Sequence, residues 1–474
     1  MQTETSESKP APTNSAPKSP EQSLYEKRDK IYPREVHGTF AILRTTSVVV
    51  LLGLFFVLPW LQMDGRQLIL FDLPARKFHV FWLTFWPQDF LLLAFLLMLA
   101  AFTLFFFTAL AGRLWCGYAC PQTVWTEVYL WIERKVEGSR IKQMRLDKSA
   151  MSVDKLVRKS IKHLLWLIVA GATAVTYVSY FSSEELLSQD LFAFQLHGWE
   201  LFWIAFFTLA TYINAGFMRE QVCKYMCPYA RFQSAMFDKN TLIISYDEKR
   251  GEPRGSRGSG KHKDDNKEAL GDCINCTMCV QVCPTGIDIR DGLQYECIGC
   301  SACIDVCDDV MEKMSYPKGL ISYTTQHAID GEPSRILRPR IVIYMIILML
   351  FTSLFIFQIS QRTSIGLDII RDRNQLYRET SGLIENIYTL KLINKDEQAR
   401  TFDIKAEGIE DLILLVDKST ILVEAGTVYD LPVRLRAKEE NLNGRSTEIR
   451  FTLSVPGDDD LSITEAGKFL GPIQ

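Results

Sequence analysis

The chain has 474 residues, enough for several domains, and its formal charge of −3 is too near balance to point to a nucleic-acid partner. Hydrophobic residues reach 47% with 28 phenylalanines, and they fall in blocks rather than evenly, so their positions carry the information.

Residues 1–23 are rich in Ser, Thr, Pro, Lys and Glu, which predicts a disordered tail. It has no apolar core segment, so it does not read as a secretory signal. Residues 24–246 read as a membrane domain. Five apolar stretches reach spanning length, at about 40–61, 88–110, 162–181, 199–217 and 340–359. Arg44 lies near the end of the first, where its side chain can snorkel.

Basic residues set the expected orientation. The connector between the second and third stretches carries Arg113, Arg134, Lys135, Arg140, Lys142, Arg145, Lys148, Lys155, Arg158 and Lys159. The loop between the third and fourth has Glu184, Glu185 and Asp190 but no Lys or Arg. The first connector and the N-terminus (Lys27, Arg28, Lys30, Arg34) are therefore expected in the cytoplasm, and residues after 360 in a periplasm.

Two matching motifs close the second and fourth stretches: Cys116-Gly-Tyr-Ala-Cys120-Pro121 and Cys223-Lys-Tyr-Met-Cys227-Pro228. Proline suits the first position of a helix and not its interior, so the chain should break there and restart with Cys120 and Cys227 at helix starts. A helix start favours the thiolate form. The residues leave three uses open for these four thiols: binding of Cu(I), a dithiol–disulfide cycle, or inert packing.

Residues 247–270 are Gly-, Ser- and charge-rich and read as a mobile tether. Within 271–315 come two successive C-x-x-C-x-x-C-x-x-x-C runs, Cys273, Cys276, Cys279, Cys283 and Cys297, Cys300, Cys303, Cys307. This is the spacing of bacterial-type ferredoxins with two [4Fe-4S] clusters, in which the fourth cysteine of each run ligates the other cluster. The expected sets are Cys273, Cys276, Cys279 with Cys307, and Cys297, Cys300, Cys303 with Cys283. Pro284 follows the first run, whereas Asp308 stands where the second run ordinarily has proline. Disulfide scaffolds and zinc ribbons do not use this repeated spacing.

A connector (316–339) leads to the fifth stretch (340–359). Residues 360–474 then alternate in short runs, Ile387–Ile393, Phe402–Lys405, Leu412–Val416, Val428–Arg436 and Glu448–Val455, the pattern of an immunoglobulin-like sandwich. His79 and His197 are the only histidine pair placed to share a haem, and His79 with Met63 is a candidate outer copper site; the aromatic belt around His79 favours an ordinary interface role over both. The expected fold class is thus a multi-domain membrane protein: about five transmembrane helices, a two-cluster ferredoxin module and a C-terminal all-β sandwich.

The cysteine runs within GDCINCTMCVQVCPTGIDIRDGLQYECIGCSACIDVCDDVM, with CGYACPQTVW and CKYMCPYARFQSAMFDKNTLIISYD, resemble the CcoG (FixG, RdxA) family of cytochrome c oxidase accessory proteins. The resemblance runs from Leu24 to the C-terminal domain. It implies a cupric reductase of the inner membrane that passes electrons through two [4Fe-4S] clusters to copper during assembly of a cbb-type oxidase. It further implies that Cys116, Cys120, Cys223 and Cys227 are the copper-binding or redox-active thiols. Implied partners are the lipid membrane, copper ions, copper chaperones or oxidase assembly factors, and a cytoplasmic electron donor; a homodimer is compatible with the sequence. Two other outcomes fit the residues: a relay to a protein disulfide or quinone, and a non-catalytic copper-delivery factor.

Overall fold

The computed structural model describes residues 30–472 apart from 64–65, 183–192, 194–197, 257–269, 373–375, 381, 397, 417–419 and 443. The expected tail, the loop with Glu184, Glu185 and Asp190, His197 and most of the tether lie outside the described residues. Among the described residues, five helices are long and apolar enough to cross a membrane: Thr39–Trp60, Phe90–Ala111, Val153–Ser179, Gly198–Met218 and Pro339–Ser360. The third begins well before the expected 162 because its first turns are polar on one side. There Lys159 and Lys162 pair with Glu137 at 2.9 and 2.8 Å instead of facing water.

The chain divides into two compact units. The first holds residues up to Phe56, Phe107–Val178 and Leu196–Arg338. Its elements begin with α1 (Thr39–Val57) and the last turn of α2 (Phe90–Ala111). A short α3 (Leu114–Tyr118), α4 (Pro121–Glu137), α5 (Arg140–Lys148) and α6 (Val153–Ser179) follow. Then α7 (Gly198–Thr211) widens into π-helical turns at Tyr212–Met218 and Val222–Met226 before α8 (Pro228–Met236).

α4 is amphipathic, and its apolar side buries Tyr129 and Ile132 against Trp166 of α6 and Ala215 of the π turn. Tyr129 stacks on Trp166 with ring centroids 5.2 Å apart. Gly216 lets the π-helical backbone reach this pair, since a Cβ there would lie 3.1 Å from the Trp166 ring.

The rest of this unit is the cysteine-rich module. Strand β6 (Ile243–Tyr246) pairs antiparallel with β7 (Ile321–Thr324), enclosing the short α9 (Glu248–Gly251), α10 (Met278–Val282) and α11 (Ala302–Lys313) in sequence. α12 (Gln326–Asp330) follows β7. The module thus reaches beyond 271–315 on both sides.

The start of the expected tether is ordered rather than free. Asp247 caps α9, Gly255 N–H donates to Cys273 C=O at 3.1 Å, and Asp272 N–H donates to Arg250 C=O at 2.9 Å. Composition missed this because these two backbone bonds join residues 18 and 22 positions apart.

The second unit holds Val57–Phe106, Ser179–Gln195 and Pro339–Gln474. It opens with a two-stranded ribbon, β1 (Gln62–Met63) with β2 (Arg66–Gln67), and a meander of β3 (Ile69–Asp72), β4 (Lys77–Val80) and β5 (Leu83–Phe85). Phe102 of α2 stacks on Phe351 of α13 (Pro339–Ser360) at 5.4 Å.

The C-terminal domain is a two-sheet sandwich of β8 (Ile365–Arg371), β9 (Arg378–Thr380), β10 (Leu383–Asn394), β11 (Arg400–Glu407), β12 (Ile413–Leu415), β13 (Thr420–Val423), β14 (Val428–Lys438), β15 (Ser446–Val455) and β16 (Asp458–Leu470). One sheet runs β12-β14-β10-β8 with β9 on β10, the other β13-β11-β15-β16. Alternate residues Leu390, Leu392, Val433, Leu435, Phe451 and Leu453 point inward and are fully buried. The strands β8, β9, β13 and β16 join those expected from the alternation.

Candidate functional site

The two ferredoxin runs fold as a local repeat. The residue after the second cysteine of each run is left-handed, Thr277 at φ 56°, ψ 14° and Ser301 at φ 61°, ψ 12°, and each caps the helix carrying the third cysteine. Such backbone is uncommon outside glycine and turns the chain sharply, so that three thiols of one run line one space.

Two small cavities result. Cys273, Cys276, Cys279 and Cys307 line one, with Met311, Leu320 and Ile321. Cys283, Cys297, Cys300 and Cys303 line the other, with Ile244, Ile287 and Ile298; Cys279 borders both. Among the described residues no three His, Cys, Asp or Glu side chains converge on a single-ion point. The thiols ring a space instead, as a many-atom cluster requires.

Burial pushes these thiols up, Cys279 to about 11 and Cys300 and Cys307 to about 12, with Cys303 far above its ordinary value. Guanidinium groups oppose the rise: Arg290 at Cys279, Arg44 at Cys300 and Arg113 at Cys297. Thiols of this kind give up protons to a metal rather than to water. The donor set, the apolar walls and the flanking cations fit two [4Fe-4S] clusters. Cys276 is exposed, whereas Cys273 and Cys279 are buried.

The other four thiols are arranged as the prolines require. Cys120 caps α4 and Cys227 caps α8, each in extended backbone with proline at the next position. Cys116 lies in α3 and Cys223 in the second π-helical turn. The structure brings the two motifs together: Cys120, Cys223 and Cys227 all stand near enough to Cys116 to disfavour its thiolate.

Burial is nevertheless the larger cause, pushing Cys116 to about 12 and Cys223 to about 11. Neither of these two is a cysteine for which a helix start was expected to favour the thiolate; they precede the break and sit in the packed turn. Cys116 Sγ donates to Gln233 Oε1 at 3.2 Å, and Thr123 Oγ1 donates to Cys116 C=O at 2.6 Å.

The first motif and the second ferredoxin run touch. A Cβ on Gly117 would lie 2.7 Å from Gly299 O and 3.1 Å from Cys300 Cα. Arg113 is buried and donates to the carbonyls of Cys297 and Ala230, both at 2.8 Å, and to that of Tyr295. Tyr118 OH donates to Ser301 Oγ at 3.3 Å, Ser301 Oγ to Tyr323 OH at 2.7 Å, and Tyr323 OH to Gly299 C=O at 2.9 Å.

Known proteins bear on this arrangement. Residues 218–326 match the family described as a 4Fe-4S dicluster domain, and residues 93–138 match a 4Fe-4S binding domain. Residues 355–472 match the Ig-like fold at the C-terminus of FixG. The nitrogen fixation protein FixG of Rhizobium meliloti is 38% identical over 424 residues, 81% of this chain and 80% of FixG. Protein RdxB of Cereibacter sphaeroides is 40% identical over 415 residues, 83% of this chain and 85% of RdxB. The chain belongs to the FixG family.

The crystal structure of a FixG-related protein from Vibrio parahaemolyticus is 38% identical, with 23% of this chain and 97% of that one covered, at a TM-score of 0.21. This FixG-family chain is an iron–sulfur, oxidoreductase-type protein of the inner membrane, built for electron transfer.

Sequence reading missed the residues that hold the thiol motifs in place. Arg113 counts in the sequence only as one basic residue of a loop, yet it is 7% exposed and bridges motif and module. Glu133 was equally silent. It accepts from Arg219 at 2.8 Å, Lys30 at 3.0 Å and Lys162 at 3.4 Å. Burial raises its carboxyl, but these three cations outweigh that and hold it at about 2.

His79 has ordinary partners, Thr84 Oγ1 at 2.9 Å and Arg66 Nη1 at 3.2 Å, and burial lowers its pKa. His163 hydrogen-bonds Tyr212 OH at 3.0 Å.

Proposed function

We propose that this FixG-family protein reduces Cu(II) to Cu(I) for the copper centre of a cbb-type cytochrome c oxidase. In this reading Cys273, Cys276, Cys279 and Cys307 hold one [4Fe-4S] cluster, and Cys283, Cys297, Cys300 and Cys303 the other. When bound, the clusters supply one-electron transfer at low potential.

Cys116, Cys120, Cys223 and Cys227 receive the copper substrate. Soft thiolates stabilise Cu(I) over Cu(II), so the site that takes the ion also favours its reduced form, and each Cu(II) accepts one electron. Arg113 and Thr123 fix the backbone of the first motif, and Gln233 holds Cys116. The carrying observation is the contact of Gly117 with Gly299 and Cys300, which leaves no side chain between the first thiol motif and the second run.

The excess of Lys and Arg in residues 113–159 supports a cytoplasmic position for the thiols and the ferredoxin module, with the C-terminal domain in the periplasm. Copper chaperones, oxidase assembly factors and an electron donor are the partners this role needs.

Anaerobically reduced, purified protein is expected to turn over Cu(II), read with a Cu(I)-specific chelator. Cys116→Ala with Cys227→Ala is expected to abolish that rate while iron is retained; an unchanged rate overturns the assignment. A second reading has its own support. The 4Fe-4S binding family covers Cys116 and Cys120, and the second motif brings their number to four thiols. If those four hold a further cluster, iron rises from roughly eight to about twelve per chain.

A further inference from the structure

A large cavity lies in the first unit beside the cysteine rings and shares Cys300 with the second of them. Its volume is about 700 Å³, within the range of roughly 300–1,000 Å³ that holds small ligands. One wall is the start of the first spanning helix, where Ile42 and Val49 are 67% and 64% exposed on a strongly apolar segment and so face lipid. The opposite wall is the amphipathic α4, through Thr126, Leu130 and Trp131.

The inner end is of different chemistry. Cys300 and Ala302 of the second ferredoxin run line it, as does Cys223 of the second thiol motif. His37 also lines the cavity, and its imidazole has no hydrogen-bond or ion-pair partner among the described residues. Gln122, on the same wall, donates to the carbonyls of Asn214 and Arg219 at 2.9 and 3.2 Å, so that wall is held rigidly.

An occupant must therefore be amphiphilic, reach the site from the bilayer, and present a polar head beside a redox centre and an unpaired base. We propose that this cavity binds a membrane quinol, which supplies the electrons for the function proposed above. Oxidation to the quinone breaks two O–H bonds and releases two electrons and two protons. The electrons leave singly for the iron–sulfur centre next to Cys300 and end on two Cu(II). His37 accepts the first proton, and water at the cavity mouth takes the second. A phospholipid shares the apolar half of this chemistry but has no reason to lie between a cluster ligand and a thiol.

The test uses the full-length holoprotein in phospholipid nanodiscs, with decylubiquinone and its quinol as probes. Decylubiquinone is expected to quench tryptophan fluorescence saturably, and Val49→Trp and Thr126→Phe, which fill the cavity, to abolish the saturable part. Anaerobic decylubiquinol is expected to bleach the iron–sulfur absorbance, about tenfold more slowly in His37→Gln, in which quinone binding persists.

Non-saturable quenching, or quenching and bleaching that survive both filling substitutions, would overturn the proposal and leave a lipid groove with a soluble donor elsewhere. Cu(II) turnover by dithionite-reduced protein is measured alongside. It depends on the thiol assignment alone, so failure of the quinol site and failure of copper reduction are told apart.

Discussion

Gly117 of the first thiol motif and Gly299 of the second ferredoxin run meet backbone to backbone, and the space between them admits no side chain. A Cβ at 117 would sit 2.7 Å from Gly299 O and 2.9 Å from Gly299 C, closer than atoms tolerate, and the obstructing group is main chain. Gly299 itself is left-handed at φ 70°, which opens its carbonyl toward Tyr323. Gly117→Val must push the motif and the module apart. Copper reduction by dithionite-reduced protein is expected to fall about tenfold or more, since ångström-scale misplacement of reacting partners costs that much. Iron content should stay unchanged, because no thiol is lost. A wild-type rate in Gly117→Val would show that electrons do not cross here.

Arg113 joins three carbonyls, those of Tyr295, Cys297 and Ala230, through one planar guanidinium. A lysine has one point charge and no fork, so it cannot serve the same three acceptors. Arg113→Lys is expected to loosen the loop carrying Cys297 and Cys300 while sparing the first cavity. Iron and sulfide analysis should fall from roughly eight towards about four of each per chain. Retention of the full complement would restrict Arg113 to packing.

How much of this was legible beforehand follows from the range of each interaction. The cysteine runs were readable because cluster ligation is set by spacing over a dozen residues, and the break at Cys120 and Cys227 because proline acts on its own turn. The π-helical turns were not, since Gly216 in the first of them packs on Trp166 and Tyr129, which arrive from other helices. The upward push on Cys116 was likewise hidden, for burial belongs to the folded chain and a helix-start rule knows nothing of it. In the C-terminal domain, β14 showed its alternation plainly, whereas β8 and β16 were blurred, the one by Gly366 and Asp368 and the other by a run of three aspartates at 458–460.

Raised thiols make a prediction about metal loading. With Cys116 at about 12 and Cys223 at about 11, both are protonated in metal-free protein near neutral pH. Each thiol that binds Cu(I) must then release its proton. Anaerobic Cu(I) titration in weak buffer is expected to liberate protons detectable with an indicator dye. Iodoacetamide should label these two cysteines slowly at pH 8 and faster as pH rises toward their pKa, because the thiolate is the nucleophile. Rapid labelling at pH 7 would mean that the site is preformed as thiolate.

Glu133 is the hub of a buried ion network, and its removal takes from buried Arg219 its carboxylate partner at 2.8 Å and leaves buried Lys162 with Glu137 alone. Glu133→Gln keeps the shape but removes the charge, a change expected to cost about 3–5 kcal/mol. The pH dependence has a definite sign. The folded carboxyl, at about 2, lies below its ordinary value of 4.5, so the stabilisation is fully present above pH 4.5 and is lost as pH falls toward 2. Thermal unfolding in detergent should show this acid loss in the wild type and a diminished one in Glu133→Gln.

Asp89 offers a parallel test in the second unit. Its carboxylate takes Arg362 Nη2 at 2.9 Å and Lys395 Nζ at 3.7 Å, and its other role is to accept from Trp86 N–H at 3.0 Å ahead of α2. One side chain therefore ties the entry of a spanning helix to the segment after α13 and to the end of β10 in the sandwich. Asp89→Asn keeps the acceptor oxygen for Trp86 but discards the charge that holds both cations. Limited proteolysis is expected to cut between Ser360 and Ile365 several-fold faster in the variant, while Cu(II) turnover by reduced protein stays at the wild-type rate. Equal cleavage would mean that the sandwich is held to its helix by the chain alone, and that the ion pairs contribute no more than exposed ones do.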